Sequence, residues 1–371
     1  MSKELKGFQI TVPALLLDEA KCRYNIKRMV EKASRNNVIF RPHFKTHQSA
    51  EIGEWFREAG VEKITASSLR MVHYFADAGW KDILVAFPVN ILEMDLINQL
   101  AGKIKLSVLV ESVETVEFLS ARMNSDIDVY IKTDAGLHRT GVMWDDHKTL
   151  YDILKAISGS DQISFRGFLT HAGNSYKARS NEEIKRIHEE STSRMVSLKN
   201  HFRKDFPNLI ISVGDTPTCS IMDDFSMVDE IRPGNFVFYD FTQIIIGSCL
   251  AGQVAVVMAC PVVAVHPERN EIVIYGGSVH FAKDSVGLTD GKSVHGAVVE
   301  NSGDGWGDII KGAYLVKMSQ EHGIIQAPSD VVSQYKPGDI IKVIPAHSCT
   351  TANLMKEYLT LTGKKIDMFR Y

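Results

Sequence analysis

Lys45 is the residue in this sequence best placed for covalent chemistry. It lies in the segment RPHFKTH, residues 41–47, where His43 and His47 flank it directly after a short apolar run. A lysine amine in a partly buried, cation-rich site has a lowered pKa and can form an imine with an aldehyde. Most lysines are instead solvated on loops, so the residue types alone leave both interpretations of Lys45 open.

Near the C-terminus, His347 and Cys349 present an imidazole and a thiol two residues apart, after an apolar run that ends at Ile344. Residues i and i+2 of a β-strand point to the same side, so we expect both side chains to project from one strand edge. They would be adjacent ligands for a borderline-soft divalent metal such as zinc. Two ligands are too few for a closed structural site and suit an open catalytic one. Taken alone, such a pair is usually two unrelated residues.

Other polar segments also follow apolar runs. Gly214-Asp-Thr-Pro-Thr218 has the composition of a strand-to-helix turn, in which Thr216 or Thr218 could cap the helix. Unpaired N–H groups at such a turn bind phosphate, although an ordinary capped turn explains the same residues. Arg139 could pair with a carboxylate, a phenolate or a ring nitrogen, or form a surface salt bridge. Tyr176 could contact a cofactor or lie at the rim of a site.

Eight short apolar runs alternate with amphipathic stretches through the first two thirds of the chain, and seven of them are separated by helix-like segments. This alternation predicts parallel strands of an α/β fold, and eight strands indicate a closed (β/α)8 TIM-type barrel, whose active site lies at the C-terminal strand ends. An open doubly wound sheet is the alternative, but it would be favoured by a Gly-rich loop after the first strand, which the sequence lacks. The predicted strands are residues 38–41, 63–66, 83–87, 106–110, 128–133, 165–170, 209–213 and 227–231.

After about Gly247 the pattern changes to strand-like runs joined by short turns rich in Gly, Pro and Asn. This pattern predicts a C-terminal antiparallel β domain. We therefore expect a barrel domain over residues 12–245 and a β domain over residues 246–371, which carries the His347 and Cys349 pair. Residues 1–11 are expected to pack on the β domain, and Ala14–Leu17 to form a lead-in outside the barrel.

The composition of the 371-residue chain excludes several classes of protein. Hydrophobic residues make up 44% and charged residues 23%, and the net charge of −3 provides no basic surface for nucleic acid. No apolar stretch is long enough to span a bilayer, and the N-terminal residues are not followed by the apolar run of a signal peptide. The five cysteines are odd in number and scattered, which does not indicate a disulfide framework. A reducing cytosol is therefore the expected location.

Taken together, these segments resemble the fold-type III pyridoxal 5'-phosphate (PLP) enzymes, and within them the D-serine dehydratase and D-threonine aldolase group. The resemblance runs from Thr11 to the His-x-Cys segment. It rests on residues 41–47, 171–176 (HAGNSY), 214–218 (GDTPT) and 230–235 (EIRPGN). It implies an alanine-racemase-like fold in which Lys45 forms the Schiff base with PLP and Arg139 lies against the pyridoxal ring. The other residues that it implies for the cofactor site are Tyr176, Thr216, Gly234 and Asn235.

The resemblance also bears on the reaction. Dehydratase members carry a His-x-Cys motif that binds zinc, whereas aldolases typically carry His-x-Asp, so Cys349 favours dehydration. The implied activity is a PLP-dependent lyase using Zn²⁺ (or another divalent metal), acting on D-β-hydroxy amino acids and yielding a 2-oxo acid and ammonia, with Lys45, His347 and Cys349 as catalytic residues. The alternatives are a D-threonine aldolase producing glycine and an aldehyde, an amino-acid racemase, and a non-catalytic PLP carrier. A homodimer is implied, in which the β domain of one subunit helps to cover the barrel mouth of the other.

Overall fold

A computed structural model of the chain describes residues 4, 5, 8–303 and 305–370. The strands are β1 Glu4–Leu5, β2 Phe8–Gln9, β3 Ala14–Leu17, β4 Ile39–Phe40, β5 Lys63–Ala66, β6 Asp82–Pro88, β7 Lys105–Val110, β8 Ile127–Asp134, β9 Val142–Met143, β10 Ile163–Leu169, β11 Ile210–Val213, β12 Glu230–Ile231, β13 Val256–His266, β14 Glu271–Tyr275, β15 Val286–Gly287, β16 Ser293–Val294, β17 Gly296–Ser302, β18 Gly305–Met318, β19 His322–Gln326, β20 Ile340–Pro345, β21 Glu357–Thr360 and β22 Lys365–Asp367. The helices are α1 Glu19–Arg35, α2 Ala50–Glu58, α3 Leu69–Asp77, α4 Met94–Ala101, α5 Val113–Ser120, α6 His147–Ser158, α7 Asn181–Phe202, α8 Thr216–Ile221, α9 Phe241–Ile246, α10 Ser278–Phe281, α11 Ser329–Val332 and α12 Ser348–Met355. Among the described helices, none is long and apolar enough to cross a membrane.

The first of two compact units is a barrel of parallel strands. Its strands lie in the order β4-β12-β11-β10-β8-β7-β6-β5, and β9 pairs with β8. The two ends of this order meet through a parallel bridge between His43 and Thr65. In this bridge Phe44 N donates to Thr65 O at 2.8 Å, and Thr65 N donates to Pro42 O at 2.9 Å. The predicted (β/α)8 barrel is confirmed, and each predicted strand overlaps an observed one.

Several helices of this unit begin where the sequence supplies a capping side chain. A serine or aspartate oxygen that accepts the third N–H of a helix satisfies a donor left without an intrahelical partner, which is worth about 1 kcal/mol. The residues that cap helices in this way are Ser68 on α3, Ser112 on α5, Asp146 on α6, Ser180 on α7 and Asp215 on α8. Short polar caps therefore set the points at which these helices begin.

A chain of buried charges joins the first and last barrel strands. Arg41 Nε donates to Glu230 at 2.7 Å, and its Nη1 donates to Asp82 at 2.6 Å. Burial lowers the pKa of Arg41, but the two carboxylates outweigh this and raise it overall. Removing one partner from a buried ion pair costs about 3–5 kcal/mol. The pairs therefore hold the start of the RPHFKTH segment rigidly against the barrel interior.

The second unit is a β structure whose strands run in the order β14-β19-β18-β17-β20-β13-β3-β21-β22, with an additional pairing of β14 and β13. The pairing of β14 with both β19 and β13 closes six of these strands into a ring. Most neighbours are antiparallel, and the exception is β21, which runs parallel to β3. The predicted C-terminal antiparallel β structure is confirmed as part of the fold.

The units divide the chain differently from the predicted ranges 12–245 and 246–371. The β unit contains the segment up to Ile26, residues 46–51 and Asn235–Arg370. The lead-in β3 is one of its strands, because Ala14–Leu17 pairs with residues 256–259 of β13. Residues 46–51 are held by long-range bonds, in which Tyr358 Oη donates to His47 O at 2.8 Å and Phe369 N donates to Gln48 O at 2.6 Å.

The boundary between the units near residue 240 also differs from the predicted ranges, and only part of the N-terminal segment is described. Residues after Gly234 belong to the β unit because Ala255 N donates to Phe238 O at 2.8 Å and Thr242 Oγ1 donates to Ala346 O at 2.7 Å. The prediction for residues 1–11 falls partly on residues 1–3, 6 and 7, which lie outside the described residues. Within that segment β1 and β2 pair with each other.

Candidate active site

Lys45 lies on a turn directly after β4, at the C-terminal end of that strand. Its backbone N–H donates to His43 Nδ1 at 3.4 Å, and its side chain is exposed. The preceding residue, Phe44, is completely buried and packs its ring against Phe56, Phe75 and Trp80 at centroid distances of 4.9–5.1 Å. The aromatic anchor therefore fixes the backbone of the turn and leaves the Lys45 amine accessible.

Two neutral imidazoles and a buried guanidinium lie near Lys45. Burial, together with the charges of Lys45, Arg139 and Arg232, lowers the pKa of His171 to about 3 against an opposing hydrogen bond to Gly214 O. Burial lowers the pKa of His43 well below its usual value, and the positive charges of Lys45 and Arg232 add to this. Both histidines are therefore uncharged at neutral pH, and the positive charge of the site is on its lysine and arginine side chains.

Arg232, which the sequence analysis did not select, is buried at 6% exposure. One of its guanidinium nitrogens donates to Thr170 O at 2.6 Å and the other to Ser212 Oγ. His171 was also not selected, and its Nδ1 lies 2.6 Å from Gly214 O. All of these residues belong to the conspicuous segments 171–176 and 230–235 or to strands beside them. The sequence therefore marked the segments that contain these residues, but it did not show which of their side chains point into the site.

Thr216 and Tyr176, two of the residues that the resemblance implies for the cofactor site, lie in contact. Thr216 N donates to Tyr176 Oη at 3.3 Å, and Thr216 Oγ1 is buried without a hydrogen-bond partner. A Cβ atom on Gly214 would approach the backbone of Arg232 to 2.8 Å, so only glycine fits there. Gly234 is likewise buried. The turn thus combines close backbone packing with a hydroxyl that has no partner in the protein.

The expectation that Thr216 or Thr218 caps the following helix is wrong. Asp215 is the N-cap of α8, and its carboxylate accepts from Thr218 N, Thr218 Oγ1 and Ser175 Oγ, each at 2.8 Å. Burial raises the pKa of Asp215 to about 6, although these bonds and the charge of Arg232 oppose the shift. Because Asp215 performs the capping, the Thr216 hydroxyl remains available for a ligand.

Arg139 lies on the loop that follows β8, and it is exposed. The loop is shaped by Asp134, whose Oδ1 accepts from the backbone N–H groups of residues 136, 137 and 138 at 2.8–3.1 Å. The charge of Arg139 contributes to the lowered pKa values of His171 and Lys132. The role of Arg139 against a cofactor ring stays a prediction.

In the β unit, His347 and Cys349 are close together, but not through a strand. Strand β20 ends at Pro345, and His347 is the N-cap residue of α12, so Cys349 lies in the first helical turn. The expected projection from one strand edge is therefore wrong, because Thr351 N already donates to His347 O at 3.3 Å and the backbone has become helical. Burial lowers the pKa of His347, but the Cys349 thiolate and the Asp240 carboxylate outweigh it and raise the pKa well above its usual value.

Three other side chains of the β unit approach this pair. Asp240 Oδ2 lies 3.0 Å from His347 Nδ1, and Thr46 Oγ1 lies 3.2 Å from Cys349 Sγ. Asn235 Nδ2 donates to Asp240 Oδ2 and Ser348 Oγ, both at 2.8 Å, and lies 3.5 Å from Cys349 Sγ. Among the described residues no group of three or more His, Cys, Asp or Glu side chains could hold a metal ion. The assignment of His347 and Cys349 as metal ligands stays a prediction.

Two family models match this chain in succession. Residues 17–240 match the alanine racemase N-terminal domain, and residues 255–361 match the putative serine dehydratase domain. A D-serine dehydratase from Dictyostelium discoideum is 30% identical, with 94% of this chain and 93% of that protein covered. The chain belongs to the D-serine dehydratase family. The resemblance to the fold-type III PLP enzymes is thereby confirmed, and the protein is a PLP-dependent lyase.

Solved structures agree with this family assignment. The D-threo-3-hydroxyaspartate dehydratase from Delftia sp. HT23 superposes with a TM-score of 0.90 at 27% identity over 98% of each chain. A D-threonine aldolase from Filomicrobium marinum gives a TM-score of 0.81 at 19% identity, which shows the fold alone. The alanine-racemase-like fold expected for this D-serine dehydratase family member is confirmed.

Proposed function

We propose that this protein is a D-serine dehydratase-like lyase that converts D-β-hydroxy amino acids to a 2-oxo acid and ammonia. The observation that carries the proposal is that His347 and Cys349 are joined by one hydrogen-bond network, through Asp240 and Asn235, in a member of this family. Two dehydratases, the one from Dictyostelium discoideum and a D-threo-3-hydroxyaspartate dehydratase from Delftia, each cover more than nine tenths of the chain. A D-threonine aldolase from Arthrobacter covers 62% of it.

The barrel unit contains a set of groups that fits PLP. An accessible lysine stands among neutral histidines, and the buried Thr216 hydroxyl lacks a partner beside a turn where only glycine fits. We propose that Lys45 binds PLP covalently, that Thr216 and Gly234 receive the phosphate, and that Tyr176 and Arg139 contact the cofactor. Bound PLP supplies an electron sink for a carbanion at the substrate Cα.

The hydrogen bonds of the Asn235 side chain bear on how this residue could make its predicted contact with the cofactor. Its Nδ2 already donates to Asp240 and Ser348, and its Oδ1 is buried without a partner. A carbonyl oxygen only accepts hydrogen bonds, so it cannot bond to a phosphate oxygen that also only accepts. We therefore propose that Asn235 contributes to the cofactor site through its main chain rather than its side chain.

The imidazole and thiolate of His347 and Cys349 fit zinc, for which nitrogen and sulfur ligands are typical. A mutant of a D-threo-3-hydroxyaspartate dehydratase has been solved in a metal-free form. A divalent metal held by His347 and Cys349 would supply a Lewis acid for the departing β-hydroxyl. Lys45 takes the α-proton as general base, and the low pKa values of His43 and His171 keep those imidazoles from adding further positive charge around its amine.

The test of the proposed reaction is a side-by-side assay of D-serine, D-threonine and D-3-hydroxyaspartate, each with and without a chelator. We expect equal amounts of 2-oxo acid and ammonia from at least one substrate, and loss of this product after chelation. Glycine and an aldehyde from D-threonine as the main products would instead identify an aldolase. Formation of the L-enantiomer without ammonia would identify a racemase, and no turnover with any substrate would favour a PLP carrier.

We also propose a homodimer located in the cytoplasm. All five cysteines lie among the described residues and none forms a disulfide, which supports a reducing compartment. A closed pair of identical subunits is the commonest soluble assembly. We expect light scattering to give about twice the 41.4 kDa chain mass for the active protein, whereas an active species at the chain mass would contradict the dimer. Fractionation of the source cells tests the location.

A further inference from the structure

We propose that Asp240 is a positioning residue that holds His347 in one tautomer and one orientation, so that His347 binds the metal through Nε2. The inference rests on the proposed metal site of His347 and Cys349. It concerns a residue that no motif in the sequence singled out, and it depends on contacts within the β unit alone.

Asp240 is completely buried and accepts hydrogen bonds from several directions. It is the N-cap residue of α9, where its Oδ1 accepts from Gln243 N at 3.0 Å. Its Oδ2 accepts from Asn235 Nδ2 at 2.8 Å and from Ser348 N at 3.0 Å, and it lies 3.0 Å from His347 Nδ1. Capping α9 requires only Oδ1, so Oδ2 serves the segment that carries the metal ligands.

The contact with Oδ2 decides which nitrogen of His347 carries a proton. An ionised carboxylate only accepts hydrogen bonds, so Nδ1 of His347 must be the donor. In the neutral imidazole the lone pair is then on Nε2, which is the only ring nitrogen left to bind a metal. A carboxylate that receives the second N–H of a metal-binding histidine fixes the orientation of the ring and raises its basicity as a ligand.

The Asp240 carboxylate also connects the two proposed ligands, His347 and Cys349, through hydrogen bonds to residues that contact them. Asn235 donates to Asp240 and places the same Nδ2 3.5 Å from Cys349 Sγ. Ser348, which separates the two ligands in the chain, is bonded to Asp240 through its backbone N–H. His347 and Cys349 are therefore both held by one hydrogen-bond network around the buried Asp240.

Two substitutions of Asp240 test the positioning role, and one of them keeps the helix cap. Asp240→Asn keeps the size of the side chain but replaces one carboxylate oxygen with an NH2 group, which cannot accept a hydrogen bond. In one orientation this group faces Gln243 N, and in the other it faces the N–H groups of Ser348 and His347. Asp240→Ser keeps a good N-cap side chain for α9, but it removes the oxygen that faces His347. If one variant fails to fold, the other still tests the inference.

The measurement is zinc affinity of the PLP-loaded protein, determined by competition with a chromophoric chelator. We expect either Asp240 variant to bind zinc about 10–100-fold more weakly than wild type, the usual effect of losing such a carboxylate. In cobalt(II)-substituted protein we expect a changed thiolate-to-cobalt charge-transfer band, which a purely structural role would not alter. The cofactor absorption and the unfolding temperature report whether each variant is folded.

The matched control is Asp339→Asn. Asp339 is also a buried aspartate of the β unit, at 2% exposure, and accepts from the backbone N–H of Lys336 at 3.0 Å. We expect its zinc affinity to equal that of wild type. The role of Asp240 alone would be overturned if folded Asp240 variants had the zinc affinity and cobalt spectrum of wild type while His347→Ala and Cys349→Ala lost zinc. Undiminished zinc binding by His347→Ala and Cys349→Ala would overturn the proposed metal site as well.

Discussion

Replacing Lys45 with alanine is expected to abolish covalent cofactor attachment and turnover together. The amine is the proposed point of attachment and the proposed base for the α-proton, so one substitution removes both. Loss of a general base alone lowers the rate by about 10²–10⁴-fold. The measurements are kcat for D-serine and the cofactor absorption of the purified protein. Borohydride reduction of wild type, followed by peptide mapping, should place the cofactor on Lys45.

Lys103→Ala is the matched control for this prediction. Lys103 is also an exposed lysine of the barrel unit, but it precedes β7 and so stands at the opposite end of the strands from Lys45. We expect this variant to retain the label and the activity of wild type. A borohydride label on a lysine other than Lys45, or normal turnover by Lys45→Ala, would refute the assignment.

Replacing Cys349 with alanine is expected to remove most of the β-hydroxyl elimination while leaving the cofactor attached. Cys349 belongs to the β unit and Lys45 to the barrel unit, so the substitution does not alter the attachment residue. A metal acting as a Lewis acid contributes several kcal/mol, which corresponds to about 10²–10³-fold in rate. The measurement is 2-oxo acid and ammonia formed from D-serine. Chelation of wild type should give the same loss, and added zinc should restore wild type but not the variant.

Two further variants make the Cys349 test specific. Cys349→Asp should shift metal preference towards harder ions such as manganese, because carboxylate oxygen replaces sulfur. Cys249→Ala removes a different thiol of the β unit, one that is buried, and should keep the metal and activity of wild type. Unchanged turnover in wild-type protein shown to be metal-free would mean that His347 and Cys349 are only structural neighbours.

Some of the tertiary arrangement was predictable from local patterns. The barrel strands are mostly buried runs of two to eight residues separated by amphipathic helices, and this periodicity depends only on neighbouring residues. The candidate residues Lys45, Tyr176 and Thr216 lie just after such runs, so their position at the strand ends followed from the fold class. The sequence did not predict that a helix begins after His347, because the apolar run before it can be followed either by more strand or by a capped helix.

The amino-acid sequence by itself determined the order of strands in the barrel, the family, and the residue types available for PLP and metal chemistry. Only the tertiary structure decided that Ala14–Leu17 joins the β sheet, that Asp215 rather than a threonine caps α8, and that Asp240 contacts His347 across 107 residues of chain. The physical reason is that a buried polar side chain is stable only with its partners. Those partners come from distant segments, and a contact between distant segments leaves no periodic signal in the sequence around either residue.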